Sequence, residues 1–423
     1  MQNDILQKIA QQAAWSIEQW LSYLGEIHPK NIEMGLERVA QVFNALQLDF
    51  SGKTVITVAG TNGKGTTCAM IEQALLLQDK QVSVFSSPHL IDYRERVRVQ
   101  GQMLSTAQHC AAFAKIEQAR GDISLTYFEF GTLQALQLMA EADSDYLLLE
   151  VGLGGRLDAV NIIDANIAVI TSIDLDHQEW LGTTREAIAV EKAGVFRPNI
   201  PVVIGEPLPP NSLIKATQDS AVKASWQGHE FVYELNNGIF SWHNELYNLV
   251  QLPAPFIPAQ NASTALQVLS LLGTQLHQDL VKQLFENTRL HGRRQIIQQQ
   301  PTIMLDVAHN PHATRLLAKE IAELDCRRVI AVVGMLADKD ISQSLALLMP
   351  VVDYWYCGSL SVPRGAPAQK LVSVLSEAKK VLEFESVSAA FIAACKKAQK
   401  DDFILVFGSF YSVAEVLTVY KAA

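Results

Sequence analysis

The stretch Val55–Thr67, VITVAGTNGKGTT, constrains the fold more than any other part of the chain. An apolar, β-branched run meets a glycine. Three glycines then fall within six residues around a lysine, before a helix-forming run begins. A short buried strand, a glycine turn and a helix in that order make the first βα unit of a parallel sheet. Backbone N–H groups at the start of such a helix, with a fixed cation beside them, cradle phosphate. The usual pattern G-x-x-x-x-G-K-[ST] puts the hydroxyl residue directly after the lysine. Here Gly65 stands between Lys64 and Thr66. The stretch reads as a nucleotide site whose extra glycine lets the backbone approach closely, with Thr66 and Thr67 both open as the hydroxyl.

The theme recurs. QVSVFSSPHL, YLLLEVGLGG and ANIAVITSIDLDH are apolar runs that stop at serines, glycines or carboxylates. Strands alternating with helical stretches predict an α/β fold with a doubly wound, mostly parallel sheet, whose ligands bind beyond the carboxyl ends of the strands. Ser87, Glu150 and His177 fall there. Upstream, Ile32, Leu36, Val39, Phe43 and Leu46 alternate spacings of four and three, which predicts an amphipathic helix. The helix after the glycine loop is expected over residues 66–77. FVYELNNGIFSW reads as a hairpin, and LPAPFIP as a loop feeding a helix that starts near Asn261. Polar ENTRLHGRRQIIQQQ then leads to a second series: TIMLDVAHN, RRVIAVVGML, VVDYWYCGS and DFILVFGSF. The expected domains are residues 1–289 and a smaller, Rossmann-like α/β domain, 290–423.

With 423 residues, 49% of them hydrophobic, the chain fills two ordinary cores. Its net charge of −10 argues against a nucleic-acid partner and requires that anionic substrates be held by local Lys, Arg or metal. Five scattered cysteines without C-x-x-C spacing predict reduced thiols in a cytoplasmic protein, not a disulfide frame or zinc site. The start MQNDILQKIA lacks the basic and apolar regions of a signal peptide, and no apolar run approaches a membrane span.

Several residues carry two readings. GLGGRLDA opens like G-x-G-x-x-G, but Leu157 takes the last place, so a dinucleotide fingerprint is rejected. Glu150 is either a surface strand end or a ligand at the sheet's mouth, and the cost of burying an unpaired charge favours the ligand. In SIDLDHQEWLG, Asp174, Asp176, His177 and Glu179 are either a solvated turn or a metal-binding group, though magnesium prefers oxygen to imidazole. Lys192, alone on an expected helix, reads as solvated surface. Asp306, His309 and Asn310 in LDVAHNPHA read as a capping turn or a strand-end site.

Taken together, GTNGKGT, SSPHL, YFEFGTLQA, EVGLGGRLDAVN, TSIDLDH, EKAGVFRP, LDVAHNPHA and VFGSFYSVAEV stand in the order found in folylpolyglutamate synthases. The chain resembles that family of Mur-ligase-like, ATP-dependent amide ligases from about Ile32 to Val416, and Gly65 matches the family's own phosphate loop. The resemblance implies a ligase that joins L-glutamate to dihydropteroate and to the γ-carboxylate of reduced folates. It would work through an acyl phosphate, in a cleft between an ATP-binding P-loop domain and the smaller C-terminal domain. Gly63, Lys64, Gly65 and Thr66 would hold ATP, with Asn261, Arg293 and Asp306. Ser87, Glu150 and His177 would ligate one or two Mg2+ ions. Lys192 would be carbamylated by CO2. Lys64, Lys192, His177 and Glu150 would form the catalytic set. Thr126, Tyr127, Phe128 and Glu129, with Leu157, Asp158 and Ala159, would bind the pterin, and His309 and Ser409 the glutamate. Gln260 falls outside the family spacing and receives no role. The expected partners are small molecules and the expected state a monomer. Rival readings are a cell-wall precursor ligase, a P-loop NTPase without ligase activity, and a nucleotide-binding regulator.

Overall fold

The computed structural model describes residues 14–30 and 32–422. The N-terminal MQNDILQKIA lies outside them. The chain forms two compact units, residues 1–288 and 289–423. In the first, eight strands make one sheet: β1 (Thr54–Ala59), β2 (Val82–Phe85), β3 (Val97–Val99), β4 (Gln102–Met103), β5 (Tyr146–Glu150), β6 (Ile167–Ile170), β7 (Pro201–Ile204) and β8 (Lys223–Trp226). Their order is β4-β3-β2-β5-β1-β6-β7-β8, and β3 alone runs against the others. The chain leaves β1 for β2 on one side, returns through β5, and continues to β6 on the other. The loop after β1 therefore sits where the winding reverses, the usual place for a ligand in such sheets.

Both faces of this sheet are covered, so its central strands are apolar throughout. One face packs Ile56, Val58, Val84 and Leu148 against the P-loop helix Lys64–Leu76 and the helix Ala259–Leu271. The P-loop helix is buried nearly all round, which is why its sequence shows no amphipathic stripe. A separate antiparallel sheet, β9 (Phe231–Asn236), β10 (Ile239–Asn244) and β11 (Asn248–Pro253), sends Phe231, Phe240 and Trp242 into the same core.

The second unit has a six-stranded sheet: β12 (Gln295–Gln299), β13 (Thr302–Leu305), β14 (Val329–Val333), β15 (Tyr354–Gly358), β16 (Val381–Phe384) and β17 (Phe403–Phe407). Its order is β12-β13-β17-β14-β15-β16, with only β12 antiparallel.

Several local expectations are corrected. The upstream amphipathic helix is Glu37–Leu46, so Ile32 and Leu36 lie outside it. The P-loop helix begins at Lys64, two residues before its expected start, because Gly63 in the left-handed region caps it. The strand in QVSVFSSPHL ends at Phe85, and the LPAPFIP segment belongs to β11 as far as Pro253. The polar stretch RRQIIQQQ, taken as a connector, contains β12; an antiparallel edge strand is held by main-chain hydrogen bonds and needs no apolar run.

Phe285, 1% exposed, meets Phe240 edge-on at 5.0 Å and joins the three-stranded sheet to the helices of the first unit. Phe285→Ala is expected to destabilise that unit by about 3–5 kcal/mol. Urea unfolding followed by tryptophan fluorescence, with Trp242 in the same core, would reveal an earlier transition.

Candidate active site

The phosphate loop is held by its neighbours more than by itself. Thr61 N–H donates to Ser172 O at 2.8 Å, and Asn62 N–H to Ser172 Oγ at 3.1 Å. Thr171 Oγ1 and Ser172 Oγ return bonds to Asn62 O at 2.7 and 3.1 Å. Thr61 Oγ1 donates to Asp174 O and accepts from Asp174 N–H, both at 3.0 Å. The segment after β6 thus orients the loop after β1, its neighbour in the sheet. On the other side, Asn261 Nδ2 donates to Thr66 Oγ1 at 2.8 Å, and Thr66 Oγ1 to Gly63 O at 3.0 Å. Gly63 has φ +87°, and a Cβ there would lie 2.4 Å from Asn261 Oδ1.

Lys64 Nζ donates to Gly60 O at 3.0 Å, and Lys192 Nζ donates to the same oxygen at 2.9 Å. Lys192 is only 5% exposed, so the expectation of a solvated surface lysine is wrong. Burial, with the nearby Lys64 cation adding to it, takes the Lys192 ammonium down to about 7, against a smaller upward pull from Asp176 and Asp158. The amine lies at the C-terminal end of the helix Arg185–Ala193.

The GLGG glycines bring that helix in. A Cβ on Gly155 would lie 2.8 Å from both Glu191 O and Lys192 O, and one on Gly152 would lie 2.5 Å from the Phe128 ring. Dinucleotide binding is not their purpose; they allow close approach. Asp158, just beyond, accepts from Leu153 and Val160 N–H at 2.8 and 3.0 Å. Burial raises its carboxyl to about 6 despite these bonds.

Glu150 ends β5 opposite Val58 and is buried. After burial itself, its charge is the main cause that pushes the Cys68 thiol well up, while Arg98 and Lys64 pull it back. Ser87 follows β2, the next strand, where Phe85 pairs with Leu149. His177 has φ +50° and caps the short helix Gln178–Leu181, its Nε2 4.0 Å from Asp176 Oδ1. Among the described residues no three His, Cys, Asp or Glu side chains group as a ready-made metal cage. One hydroxyl, one carboxylate and one imidazole are an incomplete set, and a divalent ion held by them needs further oxygens from a ligand. That fits magnesium arriving with a nucleotide.

Thr126 and Glu129 form a reciprocal cap on the helix Tyr127–Glu141, with Glu129 also paired to Arg38 at 2.8 Å. Both are buried and engaged within the protein, whereas Tyr127 and Phe128 remain partly exposed. In the second unit, Asp306 follows β13 and accepts from Arg294 and Ala308 N–H at 2.9 and 2.8 Å. Arg293 stacks over Phe410 at 4.8 Å. His309 Nδ1 donates to Val307 O at 2.8 Å, which orients the ring. Asn310 caps the helix Pro311–Ala322, and buried Ser409 accepts from Tyr411 N–H at 3.1 Å.

Some residues that build the site received no role from the sequence. Gln260 donates to Thr171 O and Gly205 O at 3.1 and 2.7 Å, fastening the Asn261 helix to the sheet. Arg98 is clamped by Glu72 at 2.7 Å, and its other nitrogen donates to Ser86 Oγ beside Ser87 at 3.3 Å. Only the pairing of β2 with β3 brings Arg98 there.

A P-loop unit wound around its switch point, followed by a second α/β unit with polar groups at its strand ends, defines an ATP-dependent ligase of the Mur type. The Mur ligase middle domain matches residues 58–204, and the Mur ligase glutamate ligase domain matches 292–410. The chain is 47% identical over 412 residues to the dihydrofolate synthase/folylpolyglutamate synthase of Escherichia coli K12, covering 97% of both. It belongs to that family. Its structure resembles E. coli FolC in complex with DHPP and ADP, with TM-score 0.94 and 47% identity over 97% of this chain and 99% of that one. It also resembles a bifunctional folylpolyglutamate synthase/dihydrofolate synthase with Mn, AMPPNP and L-glutamate bound, with TM-score 0.90, 47% identity and the same coverage.

Gly63→Ala is expected to cost about 1–3 kcal/mol through the clash with Asn261 and its positive φ. In an Asn261→Ala background the clash is gone, and only the conformational part, about 1 kcal/mol, should remain. Equal penalties in the two backgrounds, read from denaturation midpoints, would refute the contact.

Proposed function

We propose that the chain is an ATP-dependent ligase that joins L-glutamate to dihydropteroate, giving dihydrofolate, and to the γ-carboxylate of reduced folates. The observation that carries this reading is the convergence of Lys64 and Lys192 on Gly60 O beneath the start of the P-loop helix. One lysine is placed for phosphate, and the other is buried and easily neutralised. Support comes from the ligands of the solved relatives: DHPP and ADP in one, Mn, AMPPNP and L-glutamate in another.

An amine does not displace oxide from a carboxylate, so the acid is activated first. Its oxygen attacks the γ-phosphorus of ATP, the bond to the β,γ-bridging oxygen breaks, and ADP and an acyl phosphate result. Lys64 exchanges its carbonyl partners for phosphate oxygens and spreads the charge that develops there. Gly63, Gly65 and Thr66 offer main-chain N–H groups and a hydroxyl at the helix start, while Asn261 orients Thr66. In the second unit, Arg293 and Asp306 serve the nucleotide, and His309 and Ser409 the glutamate. The α-amine of glutamate, once deprotonated, attacks the acyl carbon, and phosphate leaves from the tetrahedral intermediate. Tyr127, Phe128, Leu157 and Ala159 form the pterin surface, with Thr126, Glu129 and Asp158 shaping it from beneath. Ser87, Glu150 and His177 would hold one or two magnesium ions, which supply positive charge to the phosphoryl group when bound. Holding the reactants in line supplies on the order of 7–11 kcal/mol of the barrier. The reading includes cytoplasmic, monomeric action on small molecules alone.

Phosphate release with ATP and L-glutamate should be stimulated by dihydropteroate and by a reduced folate. Stimulation by neither overturns the assignment.

The position of Lys192 favours carbamylation, which needs a neutral amine. Burial disfavours the charged form, so the neutral amine prevails above about pH 7, where an ordinary lysine is still protonated. At fixed dissolved 13CO2, a carbamate signal in the 13C NMR spectrum should grow through pH 7 and be missing in Lys192→Ala. That variant should lose activity on the order of a hundredfold. A fully active Lys192→Ala enzyme excludes the role.

A further inference from the structure

Arg96 ends the short 3-10 turn Tyr93–Arg96 and is 7% exposed. Among the described residues no carboxylate pairs with it. Its Nε–H donates to His89 Nδ1 at 2.9 Å, a bond that requires a lone pair on that nitrogen. Its guanidinium lies over the rings of Tyr93 and Tyr127, at 5.3 and 5.4 Å from their centroids. Aromatic faces and a ring nitrogen stabilise a cation but do not neutralise it. A buried charge without a counter-ion is costly, so such a residue is retained where a ligand brings the opposite charge.

Other, partly buried arginines in this unit are neutralised internally. Arg98 pairs with Glu72, Arg120 with Glu117 and Arg38 with Glu129. Arg96 differs in kind and in place. Its carbonyl accepts from Ser86 N–H at 2.9 Å, which fixes it beside the loop that carries Ser87. Its side chain meets Tyr127, the first residue of the proposed pterin helix. Arg96 therefore joins the loop that carries Ser87, through its main chain, to the proposed pterin helix, through its side chain. Its planar fork matches a carboxylate with two parallel hydrogen bonds.

We infer that Arg96 forms the carboxylate subsite for the pterin-bearing substrate. Placed over the rings of Tyr93 and Tyr127, it binds the carboxylate of dihydropteroate and sets the choice of acid over uncharged pterins. The inference rests on the ligase reading above and adds the residue that selects the acid.

The test compares dihydropteroate with its analogue lacking the carboxyl group, binding each to wild type, Arg96→Gln and Arg96→Lys by fluorescence titration, with ADP affinity as the check on folding. Arg96→Gln should bind dihydropteroate about tenfold more weakly or worse, and raise its KM equally, with binding of the analogue and of ADP unchanged. Arg96→Lys, which keeps the charge without the fork, should recover part of the loss. Undiminished preference for the acid in Arg96→Gln overturns the proposal, and so do equal losses for acid and analogue, which would mean that the side chain only shapes the aromatic stack. If the wild type itself shows no pterin-stimulated phosphate release, the ligase reading fails and takes this one with it.

Discussion

Two ammonium groups share one carbonyl oxygen in this protein, and the architecture of the first unit follows from accommodating them. Gly60 O accepts from Lys64 at 3.0 Å and from Lys192 at 2.9 Å. Two full positive charges so close, with one of them buried, would repel strongly at low dielectric. The arrangement is tolerable because Lys192 gives up its proton readily. Once Lys192 is neutral, it no longer repels Lys64. The same burial that makes the pair costly thus also lowers the cost of losing the Lys192 proton.

That contact places demands on the surrounding chain. The helix bearing Lys192 must lie against the loop after β5, and Gly155 removes the side chain that would hold the two apart. The P-loop must present Gly60 O inward, and the bonds from Thr61 and Asn62 to residues 171–174 fix it so. Asn261 closes the other side through Thr66, and Gln260 pins the helix that delivers it. None of these bonds is strong alone, each contributing about 1 kcal/mol net. Together they fasten both flanks of the loop to the neighbouring strand end and helix.

The second unit repeats the principle on a smaller sheet. Asp306 and Ser409 follow β13 and β17, adjacent parallel strands, so both loops emerge on one edge. Asp306 uses both carboxylate oxygens on main-chain N–H groups of two segments, which ties Arg294 and hence Arg293 to the strand end. His309 is oriented by a carbonyl, and Arg293 is stacked on Phe410. The side chains there are set by local geometry.

Much of this was legible in the chain alone, where the deciding forces are local. The glycine loop, the apolar strands and the second α/β series follow from periodicity and turn chemistry, and they set the fold class. The ordered motifs from GTNGKGT to VFGSFYSVAEV identified the family and nominated Lys64, Glu150 and Lys192. Missed were β12, whose polar residues form a strand only because β13 offers a partner, and the buried state of Lys192, which no neighbour in sequence reveals. Gln260 was set aside for its spacing, and Arg98 and Arg96 were silent. The contacts of Gln260 and Arg98 join residues far apart in the chain, Gln260 with Thr171 and Arg98 with Glu72, and which of these meet depends on strand order, whereas Arg96 meets His89 and Tyr93 close by in sequence and Tyr127 through packing. Sequence determined where strands, turns and phosphate-binding groups lie, because these depend on residues a few positions apart. Tertiary structure alone decided which charges are buried, paired or left wanting a partner, because desolvation is a property of the packed whole.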